Sequence, residues 1–112
     1  KSKFAILRTL DEYFNNIMPK NKIKAFYDKH SPISYLSPTF PPCLVISGKI
    51  DKLHEQSLNF VSQLEQHKLE YETLFFEQNR IDALHGFLNF INSKTSQTAY
   101  DNIIDFFKKH IK

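Results

Sequence analysis

The spacing of apolar side chains predicts four helices in this chain of 112 residues. In four segments apolar residues recur three or four positions apart, which is the pattern of a helix with one buried face. These segments are residues 3–18, 21–29, 54–67 and 97–111. Pro19 is predicted to end the first helix, because proline lacks the amide hydrogen that a helix interior requires.

The last of these helices has a regular apolar stripe, which we expect to be buried. Its members are Tyr100, Ile103, Ile104, Phe107 and Ile111. Thr98 is followed three residues later by Asp101. That spacing resembles a capping box and predicts that the helix begins near Thr98.

Two short segments have the pattern of strands. Residues 43–47 are mostly apolar and lie between a proline and a glycine, which predicts a strand buried on both faces. Residues 70–76 alternate and then become apolar, which suits a second strand. The two strands and the helix between them together span about 34 residues, which is the length of a parallel crossover unit.

The segments between these elements are predicted to be irregular. Residues 31–42 are rich in proline, and residues 77–96 form a loop with a short helical turn around residues 87–91. The predicted fold class is therefore α/β, with parallel strands at about 43–47 and 71–76 and flanking helices.

The composition excludes several kinds of site. The chain has two glycines, Gly48 and Gly86, and one cysteine, Cys43. Dinucleotide fingerprints, phosphate loops and G-x-S-x-G nucleophile turns all need closely spaced glycines. A single cysteine allows neither an internal disulfide nor a cysteine-rich zinc site. We expect no metal and no cofactor.

Charge and hydropathy limit the kinds of partner that we expect this chain to have. The formal net charge is +3 and the lysines are spread along the chain, as on a solvated surface rather than a nucleic-acid interface. No apolar run approaches the roughly 20 residues that span a bilayer. Residues 1–18 lack the continuous apolar stretch of a signal peptide. We expect no nucleic-acid partner, no membrane span and a cytoplasmic location.

An acid and a histidine follow the two predicted strands. Asp51 comes shortly after the first strand, and the loop after the second strand contains Asp82 and His85. In open parallel sheets, ligands bind beyond the carboxyl ends of the strands. At such an edge a carboxylate can orient an imidazole and stabilise its protonated form. Asp51 and His85 are therefore the candidate functional pair.

Simpler interpretations of both residues stay open. Asp51 could serve only to cap the helix that starts near Leu53. His85 could be a loop histidine that bonds a carbonyl group.

Other candidate residues lack the spacing that their chemistry needs. His54 and His67 lie thirteen positions apart, outside the spacing of a helical metal pair. Ser47 lacks the glycine that a nucleophile turn needs two residues before it.

A proline pair precedes the hydrophobic strand, Asp51 follows Gly48 by three residues, and His85-Gly86-Phe87 comes after the next strand. By these motifs, residues 31–111 resemble the carboxyl-terminal part of an α/β-hydrolase, and are most similar to hormone-sensitive-lipase-like carboxylesterases. This resemblance implies that Asp51 is the acid and His85 the general base of a Ser-Asp-His triad acting on carboxylic esters. It also implies that residues 1–30 are a helical lid or connection segment and that residues 31–112 are the carboxyl-terminal strand–helix–strand–helix portion of the hydrolase domain.

The chain departs from this family in its glycines, which are too few for the serine turn and the oxyanion loop. We therefore expect a carboxyl-terminal fragment that lacks the nucleophile and is inactive alone. Asp82 could compete with Asp51 for the histidine, although a loop role is the simpler interpretation. The expected partners are a small ester substrate and, through the open edge of the first strand, the missing half or a second copy.

Three rival interpretations remain. The same acid–histidine pair occurs in other hydrolases of this fold, such as peptidases, dienelactone hydrolases and arylformamidases. A non-catalytic scaffold domain could retain the fold. The net charge alone is the basis for a third rival, a nucleic-acid module.

Overall fold

The computed structural model describes residues 12–13 and 15–111, and the chain divides into two compact units at residue 36. In the first unit, residues 12–13 and 15–17 are helical, and Met18 and Pro19 interrupt the helix before the next one begins. The remainder of the first predicted helix, residues 3–11 and 14, lies outside the described residues.

Helix α1, Lys20–His30, matches the second predicted helix to within one residue at each end. It ends because Ser31 is extended, with φ −80° and ψ 128°, as expected of a residue that precedes proline. A 3₁₀ turn, Pro32–Tyr35, follows inside the segment that was predicted to be irregular.

The second unit is an α/β structure with two parallel strands and flanking helices, as predicted. Its elements are β1 (Cys43–Gly48), α2 (His54–Gln66), β2 (Tyr71–Phe76) and α3 (Lys94–His110). The strands are in parallel register from Cys43 opposite Tyr71 to Gly48 opposite Phe76. Both strands therefore end at the same edge of the sheet, and each is followed there by a loop.

The two helices of this unit pack on opposite faces of the sheet. Side chains alternate between faces along a strand. On one face His54, the first residue of α2, contacts Ser47 and Phe75. On the other face Lys109 of α3 forms an ion pair with Glu72, with Nζ 2.9 Å from Oε1.

A buried cluster lies at the carboxyl ends of the strands, and Leu64 of α2 is buried apart from it. Phe76, Ala83, Phe87 and Ala99 form the buried cluster. The first strand is not buried on both faces, because within it only Ser47 and Gly48 are buried and the other residues are half-buried. A sheet of two short strands is too narrow to cover its own amino-terminal end.

The apolar stripe of the last helix is also largely uncovered, contrary to the prediction. Ile104, Phe107 and Ile111 are more than half exposed, whereas the buried residues of α3 lie in its first turns. The helix begins at Lys94, and the Ser93 hydroxyl caps it by accepting a hydrogen bond from the Ser96 amide at 3.1 Å. The predicted capping box at Thr98 was wrong, because the capping residue lies five positions earlier.

The first turns of α3 hold the loop that follows β2. The Ser96 hydroxyl donates to the Phe87 carbonyl at 2.7 Å, and the Tyr100 hydroxyl donates to the Leu88 carbonyl at 2.6 Å. Both acceptors belong to or flank the 3₁₀ turn Phe87–Asn89, which matches the predicted helical turn. The segment directly after His85 is therefore attached to a helix.

Gly48 allows this loop to cross the end of β1. A Cβ atom at Gly48 would overlap the carbonyl oxygen of Ala83 and lie 2.6 Å from the Ala83 Cβ. Ala83 has no exposed surface, so it cannot move aside without opening the core. Gly86 serves a different purpose, because it adopts the left-handed conformation with φ 76°.

We expect Gly48→Ala to lower the free energy of unfolding by about 2–3 kcal/mol, at the upper end of the cost of overpacking a filled core. The matched variant Gly86→Ala is expected to cost only about 1 kcal/mol, the strain of one left-handed residue. Its nearest non-neighbouring atom would be 3.5 Å from the new Cβ. Urea unfolding followed by circular dichroism measures both, and equal costs would contradict the close approach at Ala83.

Candidate functional site

Asp51 lies in the turn between β1 and α2, where three hydrogen bonds hold it. Its backbone amide donates to the Gly48 carbonyl at 2.9 Å, and its own carbonyl accepts from the His54 amide at 3.0 Å. Its Oδ1 atom accepts from the Leu53 amide at 2.8 Å. The carboxylate is only 12% exposed, so the turn fixes its direction as well as its position.

His85 ends the loop that crosses β1, and its ring meets Asp51. The two side chains are joined by a contact of 3.2 Å between His85 Nδ1 and Asp51 Oδ2. The imidazole is 63% exposed. No group among the described residues forms a hydrogen bond with its Nε2 atom. The structure thus brings together the two residues that the sequence singled out.

Asp51 does not cap α2, because the N-cap residue is Leu53 and no side chain caps this helix. Instead Asp51 Oδ1 accepts from the Leu53 amide within the turn, which leaves Oδ2 to face the histidine. When Nδ1 carries the proton it donates to Oδ2, and Nε2 keeps a lone pair directed away from the acid. A histidine in this state can accept a proton at Nε2 and hold it as an imidazolium that the carboxylate stabilises.

Asp82 has the loop role that was the simpler expectation. The Thr95 hydroxyl and the nearby Arg80 guanidinium hold the pKa of Asp82 below its ordinary value. Arg80 also donates to the Thr95 hydroxyl at 2.7 Å and lies 5.4 Å from the centre of the Phe76 ring. Arg80 therefore links the loop to α3, Asp82 lies beside it with 3.8 Å between Arg80 Nε and Asp82 Oδ1, and the acid in contact with His85 is Asp51.

One pair of polar side chains in contact was not predicted from the sequence. Ser47 Oγ and His54 Nδ1 are 2.9 Å apart, and the His54 ring packs edge-on against Phe75 with centroids 4.8 Å apart. In the sequence, the only hint was that the serine and the histidine flank the turn that carries Asp51. The spacing of apolar residues along α2 did not distinguish His54 from the other polar residues of this helix.

Cys43 is placed far from the candidate pair, at the opposite end of β1. Its thiol donates to the Pro41 carbonyl, with a sulfur–oxygen distance of 3.4 Å. Burial raises the pKa of this thiol, which disfavours the reactive thiolate. Cys43 therefore behaves as a small, half-buried apolar side chain.

Two further features are absent from the residues that the structure describes. Within them, no three His, Cys, Asp or Glu side chains converge as the ligands of a metal ion would. No helix in that part of the chain has both the length and the apolar character needed to cross a membrane.

Comparison with known proteins adds no relative. No protein-family model, no curated protein and no solved structure matches this chain. Function must therefore be inferred from the residues of the chain itself and from their geometry.

We expect Asp51→Asn to reduce the fraction of His85 that carries its proton on Nδ1. The asparagine amide can present a donor where Oδ2 accepted, so the tautomer preference is lost. Long-range ¹H–¹⁵N correlation spectra at about pH 8.5, where an ordinary histidine is neutral, report this fraction. Asp82→Asn is the matched control and should leave the His85 resonances in place; equal effects of the two variants would contradict the assignment.

Proposed function

We propose that this chain supplies the acid and the general base of a serine hydrolase that acts on carboxylic esters. The observation that carries the proposal is the Asp51 Oδ2 to His85 Nδ1 contact, at the edge where two parallel strands end. The resemblance of residues 31–111 to hormone-sensitive-lipase-like carboxylesterases names the substrate class.

In the proposed reaction, His85 Nε2 accepts the proton of a serine hydroxyl as the serine attacks the ester carbonyl. The same nitrogen then donates this proton to the leaving alcohol, and a water molecule resolves the acyl-enzyme. Asp51 keeps the ring in the tautomer with a proton on Nδ1 and stabilises the imidazolium. The exposure of the His85 ring leaves its far nitrogen accessible to a serine from outside the described residues.

The serine must come from another segment, because the two glycines of this chain already have structural tasks. Gly48 makes room for Ala83, and Gly86 adopts a positive φ. The sequence Ile46-Ser47-Gly48 lacks the first glycine of a G-x-S-x-G turn, and Ser47 is buried in a strand. We propose that the chain alone is inactive and acts with the segment that carries the serine.

The same proposal assigns an occupant to the open edge of β1. A groove beside this strand is lined by apolar side chains, from Pro42, Leu44, Ile46, Leu88, Ile103 and Phe106 among others. An added strand would satisfy the backbone groups of the edge and cover these side chains. A second copy of this chain would bring no serine turn, whereas the serine-bearing segment would complete the site.

For the catalytic roles, we expect this chain, produced together with a segment that carries the serine turn, to hydrolyse p-nitrophenyl acetate. Asp51→Asn and His85→Gln should each lower kcat by about 10³-fold or more, since the triad acts as a unit. Asp82→Asn and His67→Gln are the matched controls and should retain full activity.

The same assay contains the outcomes that would overturn the proposal. Full activity of the His85→Gln variant would remove the general base. Turnover by the purified chain alone, blocked by a serine-directed inhibitor, would show that no partner segment is needed. Activity on peptides or on formamides but not on esters would favour another hydrolase.

For the open edge, we expect the purified chain to be monomeric by light scattering, with fast hydrogen exchange at those β1 amides that do not face β2. Adding the serine-bearing segment should slow the exchange of these amides. A concentration-dependent dimer with protected β1 amides would assign the edge to a second copy instead. A monomer with every β1 amide protected would show that the edge is not available.

A further inference from the structure

His54 connects the two strands on the face of the sheet that α2 covers. Ser47 and Phe75 are register partners, so their side chains stand side by side on one face. The His54 ring contacts both, with Nδ1 2.9 Å from Ser47 Oγ and an edge-on packing against Phe75 at an interplanar angle of 87°. One imidazole thus fixes the start of α2 to the ends of β1 and β2.

These contacts close residues 47–54 into a turn that contains Asp51. The side-chain hydrogen bond between Ser47 and His54 joins the two ends of this turn. Inside it, the Asp51 amide donates to the Gly48 carbonyl, and the Asp51 carbonyl accepts from the His54 amide. The direction of the Asp51 carboxylate is therefore set by a turn whose two ends are tied together by a side chain.

We propose that His54 is a positioning residue for Asp51 that acts through its hydrogen bond with the Ser47 hydroxyl. This proposal rests on the proposed function for its importance to activity, but the contact on which it acts, Asp51 to His85, is measurable by itself. A turn free to shift by about half an ångström would lengthen the contact between Asp51 and His85, which is already 3.2 Å, beyond hydrogen-bond distance. Catalytic geometry tolerates errors of only about 0.5 Å.

A serine beside a histidine can also indicate a nucleophile, but the surroundings argue against that role. Ser47 is 6% exposed and belongs to a strand rather than to a sharp turn. Among the described residues no carboxylate contacts the His54 ring, so nothing there orients it as the acid of a triad would. The pair is built to hold the turn.

The test uses the His85 side-chain nitrogens as the readout. Ser47→Ala removes the hydroxyl, and His54→Phe keeps the ring on Phe75 but removes the nitrogen. Each should lower the ratio of Nδ1–H to Nε2–H tautomer at His85 by about twofold or more, as expected within one hydrogen-bond network. Ser47→Thr retains the hydroxyl and should restore the ratio.

Matched controls on α2 separate positioning from a general loss of stability. Ser62→Ala and His67→Phe make the same chemical changes on this helix or at its end, away from Asp51, and should leave the ratio unchanged. In an Asp51→Asn background, Ser47→Ala should have no further effect, because the group it positions is gone.

Three results would overturn the inference. These are an unchanged ratio in Ser47→Ala, an equal loss in Ser62→Ala, or an additive loss in the Asp51→Asn background. None of these measurements involves ester hydrolysis, so a failure of the proposed function and a failure of this inference are distinguishable. Where activity is present, Ser47→Ala should lower kcat and leave KM unchanged, since His85 acts on the transition state.

Discussion

The close approach of Ala83 to Gly48 is the constraint on which the second unit depends. A loop can cross the end of β1 only because position 48 has no side chain. The crossing buries Ala83 against Phe76 and Phe87, and it brings His85 over the turn that follows β1. The buried cluster around Ala83 and the candidate site therefore depend on the same contact.

Each member of the candidate pair is held from a different face of the sheet. His85 belongs to a loop that α3 holds through the Phe87 and Leu88 carbonyls. Asp51 belongs to a turn that is closed on the other face by Ser47 and His54. Helices on both sides of the parallel sheet thus support the candidate pair at its carboxyl edge, which is where ligands bind in open parallel sheets. Rigid supports of this kind are what a preorganised acid–base pair requires.

The elements of the second unit were predictable because their signals are local. The apolar run before Gly48 and the alternation before Phe76 identify β1 and β2, and the helical period identifies α2 and α3 within a few residues. The predicted start of α3 was wrong because Thr98 and Asp101 match a capping pattern, but neither residue caps the helix. The cap is Ser93, and buried Thr95 and Ser96 extend the helix towards the loop.

By itself the sequence determined the order of the elements, the parallel crossover and the placement of Asp51 and His85 after successive strands. These follow from periodicity and from the connection length, which are properties of neighbouring residues. Only the tertiary structure decided that Gly48 faces Ala83, that Ser47 bonds His54, and that Ile104 and Phe107 stay exposed. Such contacts and burials depend on how separate segments pack against one another, and no periodicity within a single element records that packing.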